Sequence, residues 1–135
     1  MKLLYKLLRI SFGIIYSWFG VLKFFPGLSP AESLAKQTIH TLTFGLIPDN
    51  VSIILLAIWE VFVGILFLSN KLQRVAITLA LVHMACTFLP LLFFPDLSFT
   101  RAPYGFTIVG QYIVKNLVFI LALLMMQLQL PQRAK

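Results

Sequence analysis

The stretch VSIILLAIWEVFVGILFL, residues 51–68, decides the fold of this chain. Its only charged residue is Glu60, and its length approaches the roughly 20 apolar residues that a membrane-spanning helix requires. A carboxylate near the middle of a bilayer is costly, and it persists only with a partner, a water-filled cavity or a proton. The stretch therefore predicts a membrane helix whose acidic side chain finds such a partner elsewhere in the chain.

The composition of the whole chain also indicates a membrane protein. Of its 135 residues, 60% are hydrophobic and 11% are charged, and the mean hydropathy is +0.96. A soluble domain of this size would have about 25% charged residues. Cys86 is the single cysteine, which excludes an intrachain disulfide, a CxxC redox pair and a thiolate metal cluster. The sequence has no pattern for a metal centre, a nucleophile triad or a phosphate-binding loop, so we expect no catalytic residue, no metal and no intrinsic cofactor.

Four apolar runs predict an all-α fold, an integral membrane four-helix bundle that forms one transmembrane domain over residues 1–135. The predicted helices cover about residues 3–25, 51–68, 74–94 and 107–130, with Pro90 kinking the third. Between helices one and two, Ser29-Pro30-Ala31-Glu32 resembles a capping box. It predicts a short interfacial helix, which is too polar to span the membrane. The connection over residues 95–106 is predicted to be an ordinary loop.

The basic residues predict the orientation of the bundle. Seven of them lie on one side of the predicted membrane, with no acidic residue among them: Lys2, Lys6, Arg9, Lys71, Arg74, Arg133 and Lys135. Cytoplasmic loops and ends carry an excess of lysine and arginine. We therefore predict that the protein spans the inner (plasma) membrane several times with both termini in the cytoplasm. These basic ends would meet anionic lipid headgroups, so the net charge of +7 does not indicate a nucleic-acid partner.

Each predicted helix has a stripe of small and polar residues at spacings of three and four. In a membrane, such residues favour close helix packing and an interior position. Four stripes therefore predict a bundle closed around a polar interior. Their members are Lys2, Lys6, Arg9, Gly13, Tyr16, Gly20 and Lys23 in helix one; Ala57, Glu60 and Gly64 in helix two; Ala76, Ala80, His83, Thr87 and Pro90 in helix three; and Gln111, Lys115, Val118 and Ala122 in helix four.

The depth of the charged groups suggests which of them meet. Glu60, His83 and Lys115 each lie roughly 12–14 Å from the start of their predicted helices, near the middle of the membrane. We rank Lys115 first and Lys23 second as the partner of Glu60. The predicted ligand-binding or polar core comprises Lys23, Glu60, Lys115, His83, Gln111 and Tyr16.

Three interpretations of this polar core remain open. The buried pair can serve only to fix the packing of the helices, as interior polar groups often do. Alternatively, two lysines facing one glutamate leave a cation to hold an anionic or carbonyl-bearing ligand, such as a quinone head. The third interpretation is a proton or ion path through Glu60. Haem is excluded because His40, in the outer connection, cannot pair axially with His83.

Short motifs spread over nearly the whole chain resemble the DoxX-like family. They are Arg9-Ile10-Ser11-Phe12-Gly13, Trp18-Phe19-Gly20-Val21-Leu22-Lys23-Phe24, Trp59-Glu60 with Gly64, and Gly110-Gln111-Tyr112-Ile113-Val114-Lys115-Asn116. The resemblance implies a small four-helix bacterial membrane protein. Some members of that family are subunits of a thiosulfate:quinone oxidoreductase, and others are linked to oxidative-stress or thiol-redox complexes.

The residues and the resemblance together lead to one expected function and two alternatives. The expected function is a non-catalytic membrane subunit or quinone-interacting accessory of a redox or stress-response system, with the lipid bilayer and a redox subunit as partners. Assembly of several copies of the chain into a homo-oligomer also remains open. We leave enzymatic activity open, and we expect none from this chain alone. The alternatives are a small transporter or channel-like protein that uses Glu60 as its proton or ion site, and a membrane scaffold with a purely structural polar core.

Overall fold

A computed structural model describes residues 2–130 of the chain. The protein is mostly helical, and it divides into two compact units, Met1–Leu72 and Gln73–Lys135. The single domain over 1–135 stays a prediction. Pro131 and the two basic residues near the C-terminus, Arg133 and Lys135, lie outside the described residues.

The first unit contains three helices: α1 (Lys2–Leu22), α2 (Glu32–Leu42) and α3 (Asp49–Ser69). Helix α1 packs along α3, and α2 also packs on α3. Helix α3 ends at Asn70, which has the left-handed conformation (φ 58°) typical of a residue that stops a helix. The predicted helices at 3–25 and 51–68 and the short helix between them are therefore present, with bounds shifted by three residues or fewer at α1 and α3.

Glycine residues bring α1 and α3 into close antiparallel contact. A methyl group added at Gly13 would lie 3.2 Å from the Gly64 carbonyl oxygen, and one added at Gly20 would lie 2.9 Å from the Glu60 Cβ. A methyl group on Gly64 would lie 2.7 Å from the backbone nitrogen of Ser17 and would overlap its hydroxyl. Such backbone-to-backbone approach is what small residues permit between membrane helices.

The start of α2 differs from the predicted capping box. The helix begins at Glu32 after Ala31, and no side chain caps its first turn. The Glu32 carboxylate instead accepts a hydrogen bond from the backbone N–H of Gly27 (2.8 Å) and one from the Lys36 ammonium (2.6 Å). The capping-box prediction was wrong because Glu32 bonds two residues further back, to the turn that follows α1.

The second unit contains α4 (Gln73–Cys86), α5 (Leu89–Phe93), α6 (Pro95–Ser98), β1 (Phe99–Arg101), β2 (Gly105–Phe106) and α7 (Ile108–Leu128). The predicted helix 74–94 is interrupted after Cys86, and Pro90 lies in the first turn of α5, where its missing N–H is not needed. The antiparallel pair β1–β2, with α6 before it, replaces the loop predicted over 95–106. The fold is thus helical with a small hairpin rather than strictly all-α.

Three helical segments of the described chain are long and apolar enough to cross a membrane: Asp49–Ser69, Gln73–Phe93 and Ile108–Leu128. Helix α1 has the same length as α3, but its first half contains Lys2, Lys6 and Arg9. These charges set it apart from the three apolar segments. Multi-pass character is therefore compatible with the structure, whereas a count of four membrane helices stays a prediction.

Candidate polar site

The central feature of the first unit is an ion pair between Lys23 and Glu60. The Lys23 ammonium donates a hydrogen bond to the Glu60 Oε2 over 2.7 Å, and it also lies 3.4 Å from the carbonyl oxygen of Phe19. Both charged residues are buried, with 7% and 6% of their surfaces exposed. A charge-assisted bond of this length in a site shielded from water is much stronger than an ion pair at a protein surface.

The local sequence explains why these two groups meet. Lys23 follows the last residue of α1, and its backbone N–H bonds to the Gly20 carbonyl (3.1 Å), so it extends the same helical face by one turn. Gly20 lies against Glu60 and Val61 of α3. Because the missing side chain at Gly20 lets α3 approach, the lysine one turn further on reaches the carboxylate directly.

Tyr16 belongs to the same site. Its side chain is buried, with 4% exposed, and it interacts electrostatically with Glu60. Its ring also lies 6.3 Å from the ring of Phe67, which in turn stacks on Phe12 at 5.5 Å. The structure therefore brings together three of the six predicted polar-core residues, and an aromatic cluster adjoins them.

Arg9 makes a second polar contact between the same helices, one that sequence reasoning missed. It is buried, and its Nη1 donates to the carbonyl oxygens of Phe67 and Leu68, the latter over 2.9 Å. Those carbonyls lie in the last turn of α3, where the helix dipole is negative. The Phe67 carbonyl also accepts a hydrogen bond from the backbone N–H of Asn70 over 3.4 Å. From the sequence we predict Arg9 in the polar stripe of helix one and among the basic residues that set the orientation, but not its contact with the end of α3. Its place in the same stripe as Gly13, one turn away, was the available signal.

The other three predicted core residues belong to the second unit. His83 is half-buried in α4, and Thr87, one turn later, accepts a hydrogen bond from the Asn116 amide of α7 over 2.9 Å. Gln111 and Lys115 are exposed on α7, and the Lys115 ammonium lies 5.2 Å from the centre of the Tyr112 ring.

The interior position predicted for the polar stripe of α7 stays a prediction. Leu117 and Leu121 are exposed together with Gln111 and Lys115, so the surface of α7 is open on more than one side. The polar residue that α7 does turn toward α4 is Asn116, which the stripe had left out. One position along a helix changes the direction of a side chain by about 100°, so Asn116 and its neighbour Lys115 point in different directions.

The observed pair is the second of the two pairings that we predicted for Glu60. Lys23 occupies the helix that packs directly on α3, which explains its direct contact. The pairing of Glu60 with Lys115 would join the two units, and it stays a prediction.

The two charged groups of this site are bound to each other, which limits the chemistry that either can perform. Lys23 and Glu60 neutralise each other, so neither is held as a free nucleophile, acid or base in the observed arrangement. A ligand carbonyl at this point would have to compete with the carboxylate for the lysine. Among residues 2–130, no three His, Cys, Asp or Glu side chains gather in a group that could hold a metal ion.

Comparison with family models, with curated proteins and with solved structures finds no match to this chain. The resemblance to the DoxX-like family therefore rests on the quoted motifs alone, and it stays a prediction.

Proposed function

We propose that this chain is a non-catalytic, multi-pass subunit of the plasma membrane, with both termini in the cytoplasm, that serves a redox or stress-response system. The observation that carries the proposal is the buried Lys23–Glu60 pair between α1 and α3. Its charges are matched within the chain, which favours a role in holding the helices together over a role in chemistry.

The apolar surface of the protein supports a subunit role. Only 44% of the apolar 18-residue stretch within α3 is buried inside the protein. The corresponding share is 28% for Gln73–Phe93 and 17% for α7. Exposed apolar surfaces of this extent mark contact with lipid or with another protein. In the proposed setting, lipid tails and the transmembrane part of a redox subunit cover these helices.

A quinone is the ligand that this proposal would accommodate. Its carbonyl oxygens need a hydrogen-bond donor, and in the first unit the buried ammonium of Lys23 is such a donor. Binding would require Lys23 to exchange one acceptor for another. The competing function, an ion path through Glu60, would instead require the carboxylate to lose and regain a proton during transport.

The proposal is tested by isolating the tagged chain from its native membrane in mild detergent. We expect a stoichiometric complex in which a second protein carries the redox cofactor, and the absorption spectrum should show that cofactor. The tagged chain isolated from this complex should have no enzymatic turnover. A chain that purifies alone in its native membrane fraction, or that catalyses electron transfer by itself, would overturn the proposal.

Two variants separate the quinone from the alternatives. Lys23→Met with Glu60→Leu removes both charges and keeps the packing volume, whereas Glu60→Gln keeps an acceptor for Lys23. If the pair is structural, both proteins retain the partner subunit. Loss of extracted quinone in the double variant alone supports a ligand role for Lys23. Proton leakage through liposomes that stops in Glu60→Gln would instead establish the ion path.

A further inference from the structure

Lys115 has a position that the proposed function does not use. It is the eighth residue of α7, about 10 Å along the helix from Ile108, and its side chain is exposed. The exposed residues that follow, Leu117 and Val118, are apolar. If α7 spans the membrane, as the proposed function requires, an ammonium group pointing into hydrocarbon here would be costly.

The side chain of Lys115 is turned away from the middle of the helix. Its ammonium lies over the ring of Tyr112, 5.2 Å from the centre, which is one turn nearer to the N-terminal end of α7. Long basic side chains run along apolar surface in this way to bring the charge to the membrane surface. Tyr112 is itself 67% exposed, and tyrosine commonly lies at the level of the headgroups. Gln111, beside it, is also exposed.

The second unit contains more basic than acidic residues among those that the structure describes. Asp96 is the single acidic residue of the described range 73–130, which also contains the exposed Arg101 and Lys115. A symmetric contact with a second copy through this surface does not supply an acid, because it would bring two Lys115 side chains together. If Tyr112 lies at the level of the headgroups, an ammonium that lies over its ring is within reach of lipid phosphates.

We propose that Lys115, with Tyr112 and Gln111, binds the phosphate of an anionic phospholipid in the leaflet that holds the N-terminal end of α7. The ammonium pairs with the phosphate, the tyrosine ring shields that pair from water, and the amide of Gln111 donates a hydrogen bond to the headgroup. An anionic lipid is preferred to a zwitterionic one because the latter brings its own ammonium group to the phosphate.

The test uses the full chain in phosphatidylcholine vesicles that contain a small fraction of phosphatidylglycerol, with a photoreactive headgroup on one lipid or the other. After illumination, mass spectrometry of peptides locates the crosslinked residues. In the wild type we expect phosphatidylglycerol to label residues 108–118 about fivefold more than phosphatidylcholine, the ratio that about 1 kcal/mol per basic residue near a membrane surface gives.

Substitutions at one position separate charge from shape. Lys115→Met and Lys115→Gln should reduce the ratio to about one, and Lys115→Arg should keep it. Both neutral variants are used so that a folding defect of one does not decide the result. Crosslinks around Lys71, an exposed lysine in the turn after α3, provide an internal control that should not change.

The results that overturn the inference are distinct from those that overturn the proposed function. Equal labelling by the two lipids in the wild type, or an unchanged ratio in Lys115→Met and Lys115→Gln, refutes the lipid site. Equal labelling together with lower thermal stability of Lys115→Met means that the lysine pairs with Glu60 instead. No labelling of α3 or α7 by either lipid means that the chain does not span the membrane, and the proposed function then fails as well.

Discussion

Removing either partner of the Lys23–Glu60 pair should destabilise the protein, and only the defect caused by removing the lysine should shrink as the pH falls. The variants are Lys23→Met, Glu60→Leu and the double variant. Because both residues are less than a tenth exposed, solvent does not screen the pair, and removing one partner should cost about 3–5 kcal/mol. Replacing both by apolar residues of similar size should cost little.

The magnitude for Lys23→Met can be worked out from proton uptake. In Lys23→Met, the folded protein is most stable with Glu60 protonated, because the buried carboxylate has lost its cation. Taking up that proton costs about 1.36 kcal/mol for each pH unit above the ordinary glutamate pKa of 4.5, which gives about 3.4 kcal/mol at pH 7 and about 0.7 kcal/mol at pH 5. The defect of this variant should therefore shrink as the pH falls. That of Glu60→Leu should not shrink, because acid keeps the remaining lysine charged.

The assay is the free energy of unfolding in mixed detergent, measured from pH 5 to pH 8 for the three variants and the wild type. We expect the double variant to be more stable at pH 7 than either single variant, with a coupling of at least about 2 kcal/mol. Glu60→Gln should be more stable than Glu60→Ala because it keeps an acceptor for the ammonium. Additive losses in the double variant, or a pH-independent defect in Lys23→Met, would refute the reasoning.

Four further expectations can be checked independently. Gly64→Ala should lower the free energy of unfolding by about 1–3 kcal/mol, because its methyl group would lie 2.7 Å from the Ser17 nitrogen, whereas Ile65→Ala on the exposed side serves as the control. Arg9→Met should cost about 1–3 kcal/mol in the same measurement, since it removes the hydrogen bonds from the guanidinium to the carbonyl oxygens of Phe67 and Leu68. Hydrogen bonds from the Lys36 ammonium and a backbone N–H hold the pKa of Glu32 below its ordinary value of 4.5. The stabilisation that the ionised Glu32 provides is therefore complete above pH 4.5 and is lost as the pH falls through the lowered pKa. Below pH 4.5, the thermal midpoint of Glu32→Gln should consequently depend less on pH than that of the wild type. A reporter fused after the last residue should be active only in the cytoplasm, and activity outside it would contradict the predicted orientation.

The helical segments and the face that α1 buries could be predicted from sequence because they depend on periodicity. Arg9, Gly13, Tyr16, Gly20 and Lys23 recur at spacings of three and four, and all five are buried. Length and hydropathy placed α3 and α7 to within a few residues. These properties are local, and each run of sequence contains them without reference to the rest of the chain.

The features that sequence reasoning missed depend on what lies opposite a side chain. Glu32 had the position of a capping residue, but the turn after α1 offered it the Gly27 N–H instead. On α7, Gln111 and Lys115 were grouped by polarity, whereas the position adjacent to Lys115, Asn116, faces Thr87. Polarity alone does not distinguish a side chain directed to a neighbouring helix from one directed to a membrane surface.

The glycine contact and the ion pair act together to set the register of α1 on α3. Gly13 and Gly64 fix the distance between the two backbones, yet glycines alone would tolerate a shift along the helix axis. Moving α1 by one turn, about 5.4 Å, would separate Lys23 from Glu60 and leave two charges buried without each other. The same movement would take Arg9 away from the end of α3, where it meets the last carbonyls. Polar contacts near the two ends of α1 therefore penalise every register but one, while the small residues between them set how closely the helices approach.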